Sequence, residues 1–133
     1  MPADASSTPP RAPRGKTPAL RLRMRVVSGD TIAIGPGKVE LLEAIQAQRS
    51  ITAAAKSLGM SYRRAWLLVD ELNRALKAPA VETAAGGPGG GGAALTPTGE
   101  RVLALYREIE AKAQAACREE VRQLLATVAR PRA

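Results

Sequence analysis

The 133-residue chain is long enough for one domain with a single hydrophobic core. Its 20 Lys plus Arg against 12 Asp plus Glu give a net charge of +8, which favours a polyanionic partner such as nucleic acid. The absence of histidine and the single Cys117 exclude a disulfide within one chain, a Cys/His zinc site and histidine acid-base catalysis, and no apolar run approaches the roughly 18 residues of a membrane-spanning helix.

The N-terminal residues 1–19 are rich in Pro, Ser, Ala and Arg and show no hydrophobic periodicity. Such a composition cannot bury enough apolar surface to offset the entropy of ordering, so we predict a disordered basic tail. The tail also lacks the apolar core of a secretory signal peptide, which predicts a cytoplasmic protein.

Residues 20–34 have the pattern of a two-stranded β-hairpin. Apolar residues alternate with arginines from Leu20 to Val26, a Ser-Gly-Asp turn follows, and TIAI forms a second short run. The alternation puts Arg21, Arg23 and Arg25 on one face. This basic face is either a solvated surface or a contact for a nucleic-acid backbone.

Three helices are predicted next, one over residues 37–48 and two within residues 50–76. Ser50 can cap a short helix, Gly59 supplies a tight turn, and Ser61 can cap a longer helix. Two capped helices on either side of one glycine are typical of a helix-turn-helix, although an ordinary helical hairpin has the same layout.

The first turn of the second motif helix is the predicted DNA-reading surface. In helix-turn-helix proteins this turn enters the major groove, where arginine can bind guanine with two hydrogen bonds. Arg63 or Arg64 is therefore the predicted base-reading residue, and the alternative is that both contact only phosphate. With the hairpin, the predicted DNA contacts are Ser50, Thr52, Ser61, Tyr62, Arg63, Arg64, Arg21 and Arg23.

Residues 80–96 predict a wing, the β-ribbon of a winged helix. Two short extended segments flank GGPGGGG, and its glycines, with Gly89 and Gly90 as predicted DNA contacts, allow close approach to a groove. A flexible linker is the rival interpretation. A phosphate-binding loop is excluded because no Lys-Ser/Thr pair follows the glycines.

Residues 98–130 predict one long helix that begins at Thr98. Its apolar residues recur at intervals of three to five and form a stripe too long for a small core to cover, so we predict a homodimer. The predicted dimer contacts are Val102, Leu105, Ile109, Ala113 and Leu124.

Two single residues have a structural and a functional interpretation. Trp66 lies one position from the buried face of its helix, which favours packing in the core or against the hairpin over a stacking platform. Cys117 lies near the apolar stripe and is predicted to be a small packed residue, with a thiol at the dimer interface as the alternative.

From about Leu20 to Ala116 the sequence resembles the DNA-binding domain of the ModE family of molybdate-responsive regulators, itself related to the LysR-type winged helix. The resemblance is carried by SITAAAKSLGMSYRRAWLLVDELN, by VETAAGGPGGGGAALTPTGERVL and by the long closing helix. It implies a mainly α fold with small β-elements, a winged helix-turn-helix (20–97) with a long C-terminal dimerisation helix. The helix from Ser61 to about Ala75 would enter the major groove.

The resemblance also implies a function: a sequence-specific, non-enzymatic regulator of molybdate-uptake or molybdenum-related genes that binds an inverted-repeat operator as a homodimer. Family members that sense molybdate carry β-barrel domains after this helix, whereas this sequence ends at Ala133. No cofactor is therefore predicted, and a separate oxyanion-binding protein is one route to a molybdate response. Pro88 stands where a basic wing residue is expected, which removes one phosphate contact.

Two other functions remain open from the sequence. Charge alone would support an architectural protein that binds any duplex. A dimeric protein-interaction module could use the long helix as its working surface and the helix-turn-helix as scaffold. An enzyme is not predicted, because no nucleophile-base pair, paired carboxylates or metal cluster can be assembled from these residues.

Overall fold

A computed structural model describes residues 17–84 and 91–131. These fall into two compact units, residues 23–84 with 91–108, and residues 17–22 with 109–131. The elements in chain order are β1 (Val26–Ser28), β2 (Thr31–Ile34), α1 (Pro36–Gln48), α2 (Ile51–Ser57), α3 (Tyr62–Ala75), β3 (Val81–Thr83), β4 (Ala93–Leu95), α4 (Pro97–Ala116) and α5 (Arg118–Ala126). The architecture is a winged helix-turn-helix, mainly α with two small antiparallel sheets.

The β1–β2 hairpin is shorter than the sequence predicts. The ladder begins at Val26, so the predicted strand over residues 20–25 is wrong, although the alternation is present as half-buried apolar residues between exposed arginines. The reason is the length of its partner: β2 has only four residues before Gly35 and Pro36 begin α1, which leaves nothing for residues 20–25 to pair with.

The two capped helices of the helix-turn-helix form as predicted. The Ser50 hydroxyl accepts a hydrogen bond from Ala53 N at 3.1 Å, and the Ser61 hydroxyl accepts one from Arg64 N at 3.1 Å. Gly59 makes the turn at φ +69°, a left-handed conformation in which glycine carries no Cβ penalty. These interactions fix where α2 and α3 begin.

The core lies between α1, α2, α3 and the wing. Its larger cluster consists of Leu41, Leu42, Ile45, Ile51, Ala54, Ala55, Ala65, Leu68, Val69, Leu72, Ala80, Val81 and Ala93. Three consecutive alanines in α2 supply the small side chains that let helices pack closely. A second cluster joins Val39 of α1 to Leu103 and Tyr106 of α4.

The wing strands β3 and β4 pair antiparallel, with Val81 opposite Leu95 and Thr83 opposite Ala93. Gly89, Gly90 and Pro88 lie outside the described residues, as does most of the predicted tail. Thr96, not Thr98, caps the next helix: its hydroxyl accepts from Gly99 N at 3.0 Å, so α4 begins at Pro97.

The long C-terminal helix is two helices rather than one. α4 ends at Ala116, and Cys117, at φ −109° and ψ 20°, separates it from α5. The break coincides with the five-residue interval between Ala116 and Val121, where the apolar stripe leaves the 3.6-residue helical period. Cys117 is exposed, so its predicted packing is also wrong.

Candidate nucleic-acid interface

The N-terminal half of α3 presents its basic residues to solvent. Ser61, Tyr62, Arg63 and Arg64 are all exposed, while the opposite face of the helix buries Ala65, Leu68, Val69 and Leu72 in the core. Neither Arg63 nor Arg64 forms a salt bridge with any residue that the structure describes. Both guanidinium groups therefore keep their full charge available for an anionic ligand.

Two shallow grooves flank this part of α3. One, of about 270 Å³, is lined by Ser50, Ile51, Thr52, Tyr62, Trp66, Thr83, Ala84, Gly91, Gly92 and Ala93. It brings the predicted contacts Ser50, Thr52 and Tyr62 together with the base of the wing. The other, of about 590 Å³, is lined by Ser61, Arg63, Arg64, Trp66, Leu67 and Asp70. The predicted residues of the two motif helices thus occupy one continuous surface.

Trp66 belongs to this surface rather than to the core. It lines both grooves, is 37% exposed, and meets the Tyr62 ring edge-on with centroids 6.2 Å apart. The prediction that Trp66 packs in the core is therefore wrong, and its packing against the hairpin stays a prediction. Trp66 and Tyr62 thus add an aromatic, partly exposed wall to the grooves beside the basic residues.

The one acidic side chain in the second groove is paired within its own helix. Asp70 Oδ2 lies 3.1 Å from Arg74 Nε, one turn further along α3. Because this pair is exposed it adds little stability, but it offsets the negative charge of Asp70. The solvent face of α3 therefore keeps a positive balance from Arg63 and Arg64.

Asn73 fixes the wing to α3, a role that the sequence analysis missed. Its Oδ1 accepts from Ala80 N at 2.8 Å and from Val81 N at 3.2 Å, and its Nδ2 donates to Val81 O at 3.1 Å. In the sequence, Asn73 stands out only as a polar residue among the helix-spaced apolar positions of α3, shortly before a proline. This pattern does not reveal which groups Asn73 binds.

A backbone hydrogen bond also connects the wing to the turn between α1 and α2. Ala93 N donates to Arg49 O at 3.0 Å, and Arg49 holds the left-handed conformation at φ 60°. The wing is thereby bonded on one strand to α3 and on the other to the turn that precedes α2. The wing is therefore positioned against α3 by side-chain hydrogen bonds of Asn73 and against the turn before α2 by one backbone hydrogen bond.

The arginines before the hairpin are exposed but fall in different units. Arg23 lies in the same unit as the helix-turn-helix, next to Met24, whose carbonyl accepts from the Tyr106 hydroxyl at 2.8 Å. Arg21 lies in the other unit. The structure thus brings Arg23 and the α3 residues into one unit and does not do so for Arg21.

The predicted dimer contacts differ in burial. Leu105, Ile109 and Leu124 are 41%, 54% and 56% exposed, and Ala113 is half-buried. Val102 instead packs against the larger core cluster. On α4, Leu105 and Ile109 are four residues apart and share a face that the described residues leave exposed.

The part of the chain that forms these grooves matches a known protein family. Residues 37–100 match the family model of the bacterial regulatory helix-turn-helix proteins of the LysR family. Residues 37–100 therefore form a helix-turn-helix domain similar to that of the LysR family. This domain extends from α1 through the motif helices and the wing to the first turn of α4.

Two of the curated relatives of the chain are named for molybdenum, and a third is named as a transcriptional regulator. The chain is 50% identical over 78 residues to the molybdenum-pterin-binding protein MopB of Rhodobacter capsulatus, 59% of this chain and 29% of the relative. It is 39% identical over 94 residues to the molybdenum transport protein ModE of Azotobacter vinelandii, 71% and 35% respectively. It is 44% identical over 71 residues to the dual regulator ModE of Escherichia coli, 53% and 27%. The chain thus spans about a third of these relatives.

Beyond residues 37–100, α5 carries a local charge pair. Glu119 accepts hydrogen bonds from Arg122 and from Gln123 Nε2, and these lower the pKa of its carboxyl group. The same contact raises the pKa of Arg122.

Among residues 17–84 and 91–131, no group of three or more acidic or cysteine side chains could hold a metal ion, and no helix is long and apolar enough to cross a membrane.

Proposed function

We propose that the protein is a non-enzymatic, cytoplasmic transcriptional regulator that binds an inverted-repeat DNA site as a homodimer and controls molybdate-related genes. The observation that carries this proposal is the Ser61-capped start of α3, where Arg63 and Arg64 are exposed and form no salt bridge with a described residue. Their groove shares Trp66 with the groove at the wing. The names of the relatives, MopB and ModE, supply the link to molybdenum.

The dimer part of the proposal rests on the exposed apolar residues of the C-terminal helices. Ile109 and Leu124 are more than half exposed, and a second copy of the same helices is the partner that would remove them from water. Two copies related by a two-fold axis present two α3 helices, which would enter successive major grooves of an inverted repeat. No cofactor is required for this binding step.

Fluorescence anisotropy with labelled duplexes tests the function directly. The duplexes are the region upstream of the protein's own gene, a molybdate-transporter promoter and scrambled DNA of equal length, each with and without molybdate and over a salt series. We expect a preference for the native sites of about 10³ or more. Equal affinity for all duplexes with a steep salt dependence would instead identify an architectural binder.

The molybdate arm of the same experiment separates two modes of regulation. A shift of affinity on adding molybdate alone would place the ligand site within this chain. Specific binding without a shift would support sensing by a separate oxyanion-binding protein, which is then supplied in a second titration.

A further inference from the structure

The solvent face of α3 contains an exposed leucine between charged residues. Leu67 is 51% exposed and lines the larger groove with Arg63, Arg64 and Asp70. It follows Arg63 by four residues, so the two side chains lie one turn apart on the same side of the helix. Leu67 therefore faces whatever ligand Arg63 contacts.

Single exposed leucines are common on protein surfaces and need no explanation by themselves. Leu67 differs because its neighbours are Arg63 and Arg64 of the proposed DNA-reading turn, neither of which forms a salt bridge within residues 17–84 and 91–131. When α3 enters a major groove, Leu67 must lose its water against the floor of that groove. A leucine placed against base-edge donors and acceptors would leave them without partners, which is costly.

The major groove offers one apolar group that suits such a side chain, the 5-methyl group of thymine. We propose that Leu67 reads a thymine in each half-site by packing against this methyl group. The inference rests on the proposed function and deepens it, since it names a base and the residue that recognises it.

The helix geometry limits where that thymine lies. Four residues of α-helix correspond to about 6 Å along the axis, and base pairs are stacked about 3.4 Å apart. The thymine therefore lies within about two base steps of the base that Arg63 contacts. This restricts the search to a few positions in each half-site.

Deoxyuridine substitution provides the test, because it removes only the methyl group and keeps the base pair. Each thymine of the preferred site is replaced in turn, symmetrically in both half-sites, and the affinities of the wild type and Leu67→Ala are measured by anisotropy. At one position the wild type is expected to lose about fourfold per half-site, the factor that corresponds to about 0.8 kcal/mol for one buried methyl-sized group.

Leu67→Ala is expected to bind the thymine site more weakly and to show no further loss on the uridine site at that position. Leu67→Met, which keeps an apolar side chain, should retain the uridine penalty. The control is Val27→Ala. Val27 is an apolar residue of the hairpin that is 63% exposed, and its substitution should leave DNA binding as in the wild type. Thermal unfolding confirms that the exposed substitutions leave the fold intact.

The two proposals fail in different ways. Equal binding of native and scrambled duplexes, before any uridine is introduced, overturns the proposed function and this inference with it. Retained site preference with a uridine penalty that is the same in the wild type and Leu67→Ala at every thymine overturns the role of Leu67 alone, as does the absence of any uridine penalty.

Discussion

Arg63 and Arg64 are both exposed, but their places on α3 differ. Arg63 shares the outward face with Leu67, whereas Arg64 lies about 100° further round the helix. If Arg63 reads guanine, Arg63→Ala should cost about 1 to 3 kcal/mol on the preferred site and flatten base preference at one position. A set of single-base variants of the site, measured by anisotropy, checks this.

Arg23→Ala is the matched comparison, since Arg23 is also exposed but lies before the hairpin. We expect it to weaken binding to all duplexes alike and to reduce the slope of log affinity against log salt by about 1. Equal losses on preferred and random DNA for Arg63→Ala would assign Arg63 to phosphate instead.

Gly99, in the first turn of α4, is fixed by its contact with the wing. A Cβ at this position would meet the carbonyl oxygen of Ala80 and lie 3.0 Å from its carbonyl carbon. That oxygen cannot move away because it accepts a hydrogen bond from Thr96 N at 2.9 Å. Gly99→Ala should therefore lower the free energy of unfolding by about 3 kcal/mol in urea titration.

Gly37 provides the control for that measurement. It also lies in the first turn of a helix, α1, but its Cβ would meet no atom within 4 Å. Gly37→Ala should raise the free energy of unfolding by about 0.5 kcal/mol through the lower entropy of the unfolded chain. A similar effect for both glycines would show that the contact with Ala80 is not the cause.

The wing is held against α3 by the side chain of Asn73. Asn73→Ala would leave the buried amide groups of Ala80 and Val81 without their acceptor, and we expect a loss of about 2 to 4 kcal/mol. Asn73→Asp keeps an acceptor for both amides but points an oxygen at Val81 O, so its loss should be smaller. Urea unfolding of the two variants distinguishes them, and equal losses would contradict the role of the accepted bonds.

Local signals predicted the elements that local interactions determine. The caps Ser50 and Ser61 and the turn at Gly59 are set by residues within a few positions, and the structure confirms them. The prediction of a strand over residues 20–25 was wrong because its partner β2 is too short. The alternation of apolar and polar residues within one segment says nothing about the length of its partner. Pairing is a property of two segments.

The candidate site could also be predicted only where it depends on residues close together in the sequence. The identities of the basic α3 residues follow from the motif, and their exposure agrees with it. The positions of Trp66 and Asn73 depend on how the wing packs against α3, and no periodicity within α3 contains that information. The break at Cys117 could have been recognised from the five-residue step in the apolar stripe.

The exposed apolar residues of α4 lead to a prediction about how the chain assembles. Ile109→Glu places a charge where the proposed dimer buries an isoleucine that is 54% exposed in the single chain. Because glutamate is a good helix former, α4 itself should persist. Sedimentation equilibrium is expected to show a dimer for the wild type and a monomer for the variant.

Val27→Glu, on the exposed hairpin, is the control and should remain dimeric. The monomeric variant should retain weak binding to a half-site and lose the gain from the full inverted repeat, because its two binding events are no longer linked. A dimer that persists in Ile109→Glu would rule out this face of α4 as the interface.

The single exposed thiol at the junction of α4 and α5 has a practical consequence. Cys117 is the only cysteine in the sequence, so a maleimide reagent reaches one defined position without any prior removal of competing thiols. A spin label at this position would appear twice in a dimer, once per copy. The unmutated protein can therefore report, as one inter-label distance, whether its two C-terminal segments move when DNA is added.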